Sequence, residues 1–183
     1  VYDSKSGVVL VYSGSPVGET WEWDGANWIL RSQQGPGPRR GFGMAFDSRR
    51  GVVVLHGGHG LDTLQPVFSD TWEWDGVDWI LRSTAGPMRK GHAMAYDSVR
   101  NVTVLHGGRA SSSLTNQTWE WDGTTWTQVA ANTGPGATDS YDMVFDSLRN
   151  VIVMFFKPSQ SDWYEEWTWD GSVWASRLVP GPR

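Results

Sequence analysis

Short runs of alternating apolar and polar positions, the period of half-buried strands, recur along the whole chain. Gly91-His92-Ala93-Met94-Ala95-Tyr96 is one such run, and Val102-Thr103-Val104-Leu105-His106 is the next. They predict two antiparallel strands, a and b, joined by the turn Asp97-Ser98-Val99-Arg100-Asn101. The same turn stands at 3–7, 47–51 and 146–150, each time opening Asp-Ser and closing on Gly or Asn, the residue types that most easily take positive φ. Its first residues, Asp3, Asp47, Asp97 and Asp146, lie 44, 50 and 49 residues apart.

After strand b, Gly57-Gly58 and Gly107-Gly108 break the pattern and a loop leads to Trp-Glu-Trp-Asp-Gly, at 21–25, 72–76 and 119–123. The fourth copy reads Trp167-Thr168-Trp169-Asp170-Gly171. Its Trp-x-Trp part predicts strand c, and Asp-Gly supplies the φ > 0 that a tight hairpin needs. Strand d opens on Trp28, Trp79, Trp126 or Trp174, and a Gly-Pro loop returns the chain to the next strand a. These columns hold 12 of the 13 tryptophans, leaving only Trp163 outside. The chain is therefore a repeat array of four-stranded meanders, with units at approximately 1–38, 39–88, 89–137 and 138–183 in one domain. The recurring indoles, each able to bury roughly 150 to 250 Å², are read as core between adjoining units, with small residues such as Ala93 and Ala95 leaving them room.

Composition narrows the partners. A net charge of −5 with scattered Lys and Arg offers no basic stripe for nucleic acid. The longest apolar run, Val151 to Phe156, is far short of the ~20 residues of a membrane-spanning helix. Absence of cysteine removes disulfides, thiolate metal sites and thiol nucleophiles together.

Paired glycines ending strand b, an aromatic strand c and a Trp opening strand d resemble the kelch repeat, and the YDS…VLHGG…TWEWDG wording is most similar to bacterial kelch-type proteins related to galactose-oxidase propellers. The resemblance covers essentially the whole chain. It implies an all-β fold, a β-propeller built of four kelch-like four-stranded antiparallel blades, and favours an extracellular or periplasmic setting. Ser13-Gly14 and Phe156-Lys157 depart from the glycine pair in the first and fourth units. Four units are few for such a ring, since the family mostly uses six to eight. Three arrangements stay open: a strained four-bladed ring, a homodimer completing an eight-bladed ring, and a piece of a longer propeller.

Turns a-to-b and c-to-d hardly vary between units, whereas loops b-to-c and d-to-a vary greatly, so one face of the disc is expected to carry the binding surface. From its b-to-c loops come His59, Asp62, Gln65, Phe68, Arg109, Asn116, Trp163 and Tyr164. From the entrances to strand a come Arg39, Arg89, Thr138 and Arg183 at equivalent positions, with Arg40, Lys90 and Asp139 beside them. Three arginines at a channel mouth would favour a carboxylate or another anion.

His56, His92 and His106 stand where other units carry Tyr12, Phe42, Tyr141 or Phe155, so packing is expected of them; no metal site and no cofactor are expected. Asp24, Asp75, Asp122 and Asp170 are turn residues, and no catalytic constellation is found. The copper-radical chemistry of galactose oxidase uses a Tyr crosslinked to Cys and does not carry over. The function expected is a non-catalytic scaffold or binding module for a protein or glycan; the alternative is part of a secreted carbohydrate-active or oxidoreductase-associated propeller.

Overall fold

The computed structural model describes residues 1–14, 16–62, 66–131, 133–137, 139, 142–156 and 163–180. It is all-β, with four four-stranded antiparallel sheets and one two-stranded hairpin among these residues. Sheet 1 comprises β1 (Tyr2–Asp3), β2 (Val8–Tyr12), β3 (Thr20–Trp23) and β4 (Trp28–Ser32). Sheet 2 comprises β5 (Gly43–Asp47), β6 (Val52–His56), β7 (Thr71–Trp74) and β8 (Trp79–Ser83). Sheet 3 holds β9 (Ala93–Asp97), β10 (Val102–His106), β13 (Thr118–Trp121) and β14 (Trp126–Ala130), with the hairpin β11 (Arg109–Ala110) and β12 (Ser113–Leu114) inserted before β13. Sheet 4 comprises β15 (Met143–Asp146), β16 (Val151–Phe156), β17 (Trp163–Trp169) and β18 (Trp174–Pro180).

Each four-stranded sheet is a meander paired in chain order, as the alternation predicts, and none closes on itself. The Asp-Ser turns take the form their sequence demands. Asn101 and Asn150 sit at φ 59° and 57°, in the left-handed region that Gly7 and Gly51 also occupy. Asp97 Oδ1 caps its turn by accepting from the Val99 and Arg100 N–H groups, both at 2.9 Å.

Apolar clusters join the sheets in sequence. Leu10 packs with Val53 and Trp74 between sheets 1 and 2. Ala45 and Val54 pack with Met94, Leu105 and Trp121 between sheets 2 and 3. Ala95 and Val104 pack with Ile152 and Trp169 between sheets 3 and 4. Among the described residues no cluster joins sheet 4 to sheet 1.

Within strand c the two indoles differ. The second, Trp74, Trp121 or Trp169, is buried in the stack. The first stays half-buried and donates its Nε1–H to the side chain two residues earlier: Trp21 to Glu19, Trp72 to Asp70, Trp119 to Gln117 and Trp167 to Glu165. In sheets 2 to 4 the second tryptophan is thus the more deeply buried of the two on strand c.

Candidate functional site

Antiparallel order places the b-to-c and d-to-a loops at one end of the stack, and there two backbone bridges assemble a mouth. Arg40 and His59 exchange N–H···O bonds of 2.8 and 2.9 Å, tying the entrance of β5 to the loop after β6. Lys90 and Arg109 do the same for sheet 3 at 3.1 and 2.8 Å. Gly91 N–H donates to the Gly41 carbonyl at 2.7 Å and locks the two entrances together. A cavity of about 290 Å³ results, lined by Gly41, His59, Lys90, Gly91, Arg109 and Asp139.

Its electrostatics are mixed but lean positive. Arg109 Nε donates to Asp139 Oδ2 at 3.2 Å and its Nη1 to the Ser112 carbonyl at 2.8 Å. Lys90 adds a half-buried ammonium, for which no ion pair is found among the described residues. Two permanent cations therefore face one carboxylate, with an imidazole beside them.

The arginines expected at the mouth behave differently. Arg39 is 2% exposed, and its guanidinium donates to both Asp70 carboxylate oxygens at 2.7 and 2.9 Å, to the Gly57 carbonyl at 2.9 Å and to the Pro36 carbonyl. The Phe68 ring lies under it, with Arg39 Cζ 4.5 Å from the centroid. Burial opposes charge on Asp70, yet the hydrogen bonds from Arg39 and Trp72 hold its carboxyl below the usual range. Arg89 is also buried and donates to Gln117 and to the Met88 carbonyl. Both fork into their own chain, because buried loop carbonyls and acceptor side chains stand within their reach. They brace the loops instead of lining the mouth. Arg183, Thr138 and Gln65 lie outside the described residues.

Of the remaining candidates, His59 and Arg109 meet at the cavity, while Asp62, Phe68, Trp163 and Tyr164 are not among its lining residues. Trp163 is 50% exposed at the start of β17. In sheets 1 to 3 the c–d pairing shifts register between the Thr and the first Trp. In sheet 4 pairing runs unbroken to Trp163 opposite Pro180, which carries that indole away from the inner strands on a long hairpin.

A second cavity, of about 440 Å³, lies among the inner strands and reaches Ser4, Ser48 and Ser98 of the Asp-Ser turns. It therefore faces the end with uniform turns, and Met44, Phe46, Met94, Tyr96, Met143 and Phe145 line it together with polar surface.

The histidines other than His59 lie away from both cavities, in the junctions between sheets. His56 Nδ1 is 2.9 Å from Thr71 Oγ1, and its Nε2 is 2.8 Å from the Pro87 carbonyl. Burial pushes its pKa down to about 4. His92, 6% exposed, has no partner for either ring nitrogen, and burial takes its pKa well below the ordinary value. The turn carboxylates Asp24, Asp75 and Asp170 are held below the usual range by backbone N–H groups of their own turns.

A residue-by-residue reading misses the threonine before each WEW. Thr20, Thr71 and Thr118 are fully buried and accept the Nε1–H of Trp79, Trp126 and Trp174 from the next sheet at 2.7, 2.8 and 2.8 Å. Its recurrence in three units is the signal that could have found it.

No family model and no curated protein matches the chain. Among solved structures it is similar to YjhT, a protein of β-propeller-like fold, with a TM-score of 0.69 at 16% identity. The likeness covers 88% of this chain and 59% of that one. At this identity the likeness extends to the fold alone: an all-β, propeller-like scaffold, spanning about three fifths of its neighbour's length.

Proposed function

We propose that the chain is a non-catalytic binding module built of four kelch-like blades, which engages an anionic group of a protein or glycan ligand at the mouth formed by His59, Lys90 and Arg109. The observation that carries it is the convergence of these three side chains on one cavity at the end of the stack where the loops diverge. Uniform turns at the opposite end and divergent loops at this one are what a scaffold with a single recognition face requires. A carboxylate entering the cavity would take an N–H from Arg109 now shared with Asp139, and would offset the Lys90 ammonium.

Arrays of acidic and neutral glycans and of acidic peptides test this. Acidic members are expected to bind in preference to neutral ones, and Lys90→Ala to weaken them by about tenfold, the usual cost of one charge-assisted hydrogen bond. Trp163→Ala is expected to leave binding unchanged. Equal binding of neutral ligands, or an unaffected Lys90→Ala variant, would overturn the assignment.

A further inference from the structure

Three junctions between consecutive sheets are built to one plan, and the two ends of the stack carry its separate halves. In each junction the later sheet inserts two indoles and the earlier sheet receives them. Trp79, Trp126 and Trp174 donate to Thr20, Thr71 and Thr118. Trp121 and Trp169 donate to Glu73 and Glu120 at 3.1 and 3.2 Å. The strand-d indole also packs on the last residue of the earlier strand b, with Trp79 5.5 Å from Tyr12, Trp126 4.6 Å from His56 and Trp174 4.8 Å from His106. Finally, Arg50 and Arg100 lie across the Asp-Gly turn of the next sheet, each filling the space a Cβ would need at Gly123 or Gly171.

Sheet 1 has the inserting half, and among the described residues no sheet receives it. Trp23 and Trp28 sit with ring centroids 5.4 Å apart at 44°, the same tilted arrangement as the docked pair Trp74 and Trp79 at 5.7 Å and 47°. Yet Trp28 is 52% exposed, and nothing lies within 4 Å of a Cβ built on Gly25. The pair is preformed and uncovered.

Sheet 4 has the receiving half. Phe155, at the position of Tyr12, His56 and His106, is 53% exposed. Beside it Arg149, Glu166, Thr168, Ala175, Ser176 and Arg177 line a groove of about 240 Å³. Glu166 and Thr168 take the places of the Thr and Glu acceptors in reverse order, so both indole N–H groups still find an oxygen. Arg149 stands where Arg50 and Arg100 stand, held at 2.6 Å by Glu166.

We infer that sheet 1 of one copy docks on sheet 4 of a second copy, so that Trp28 enters the Arg149–Glu166–Thr168 groove against Phe155 and Arg149 covers the Gly25 turn. Donors meet acceptors and an open turn meets an arginine, as in the junctions of sheet 2 with sheet 3 and of sheet 3 with sheet 4. The contact is head to tail, so each copy presents a different face to its partner. It is independent of the ligand mouth, to which neither face contributes a residue.

The test is the mass of the purified chain by sedimentation equilibrium, from nanomolar to high micromolar concentration. The wild-type chain is expected to reach at least twice its 20.4 kDa monomer mass. Trp28→Glu and Phe155→Glu, each at an exposed site, are expected to weaken association by about a hundredfold, the scale of a large anchor residue, with far-UV and near-UV dichroism unchanged. Mixing the two variants is expected to restore association, since one retains an intact groove and the other an intact indole pair. A wild-type chain that stays monomeric throughout overturns the inference. Association that survives either single variant overturns it too, because a contact between like faces would need only one of them.

Discussion

The junction between sheets 1 and 2 and the junction between sheets 2 and 3 have the same shape and different polar content. In the second, Glu73 is 1% exposed, is gripped by Arg50 at 2.6 Å and Arg82 at 2.9 Å, and accepts from Trp121. In the first, Glu22 is held by Arg31 at 2.6 Å, and the buried Trp74 Nε1 that should meet it has no partner. The cause is one turn residue. Ser6 stands where Arg50 and Arg100 stand, so nothing swings Glu22 toward the next sheet. Aromatic partners differ as well: Tyr12 meets Phe42 at 5.6 Å, whereas His56 meets His92 at 5.7 Å. Apolar packing and the shared indole-to-threonine bond are common to the two junctions. Polar partners set how firmly, and at which pH.

The largest difference is expected between an indole that is docked and one that is not. Trp126→Ala removes a ring from the second junction and strands Thr71, at a cost of about 4 kcal/mol. Trp28→Ala, on the uncovered face, is expected to cost under about 0.5 kcal/mol at concentrations where the chain is monomeric. Urea unfolding of both variants checks the contrast.

Acid is expected to separate the junctions next. The unfolded chain binds a proton at each histidine near pH 6.5, while His56 and His106 in the fold bind one only near pH 4. Their folded values are depressed, so the stability they contribute is complete above about pH 6.5 and drains away as pH falls toward about 4. At about 1.4 kcal/mol for each tenfold loss of proton affinity, His56 alone accounts for on the order of 3 kcal/mol. His92 acts in the same direction. Tyr12 and Phe42 carry no group that titrates there, the Tyr12 hydroxyl being pushed up to about 12 by burial. Hydrogen exchange from pH 7 to 4 should show protection lost in sheets 2 and 3 before sheet 1, and His56→Tyr should flatten the dependence.

The smallest change would repair the weaker junction. Ser6→Arg places a guanidinium between Asp3, Glu22 and the open space at Gly76, where nothing lies within 4 Å of a built Cβ. Freed to accept from Trp74, Glu22 would add one buried hydrogen bond, about 1 kcal/mol, read as a rise in urea midpoint at unchanged slope.

Much of this fold is legible in the sequence, because strand period, Asp-Ser turns and Asp-Gly turns are local rules written four times. Strands a to d fall within a residue or two of β5 to β8. The hairpin of β11 and β12 is not foreseen, since Arg109-Ala110 and Ser113-Leu114 are too short for any period to show. The site is only half legible. Divergent loops point to the end where His59, Arg109, Lys90 and Asp139 line one cavity. Arg39 is misjudged because its fate depends on Asp70, 31 residues away in sequence, and Coulomb attraction at that separation leaves no trace in the local pattern. Trp163 draws notice for standing outside the columns, yet its place depends on whether pairing between β17 and β18 continues past Glu166.

Because the later sheet always gives the N–H and the earlier always gives the oxygen, the stack has a direction, like a sentence. A copy of sheet 2 spliced in tandem behind the original would find Thr71 and Glu73 before it and offer the same pair to the sheet behind it. The indole N–H groups would meet oxygens that already accept from Trp121 and Trp126, while Phe42 would stand against His56 where His92 stands now. Duplication of an interior unit would thus lengthen this protein along the direction its junctions already have.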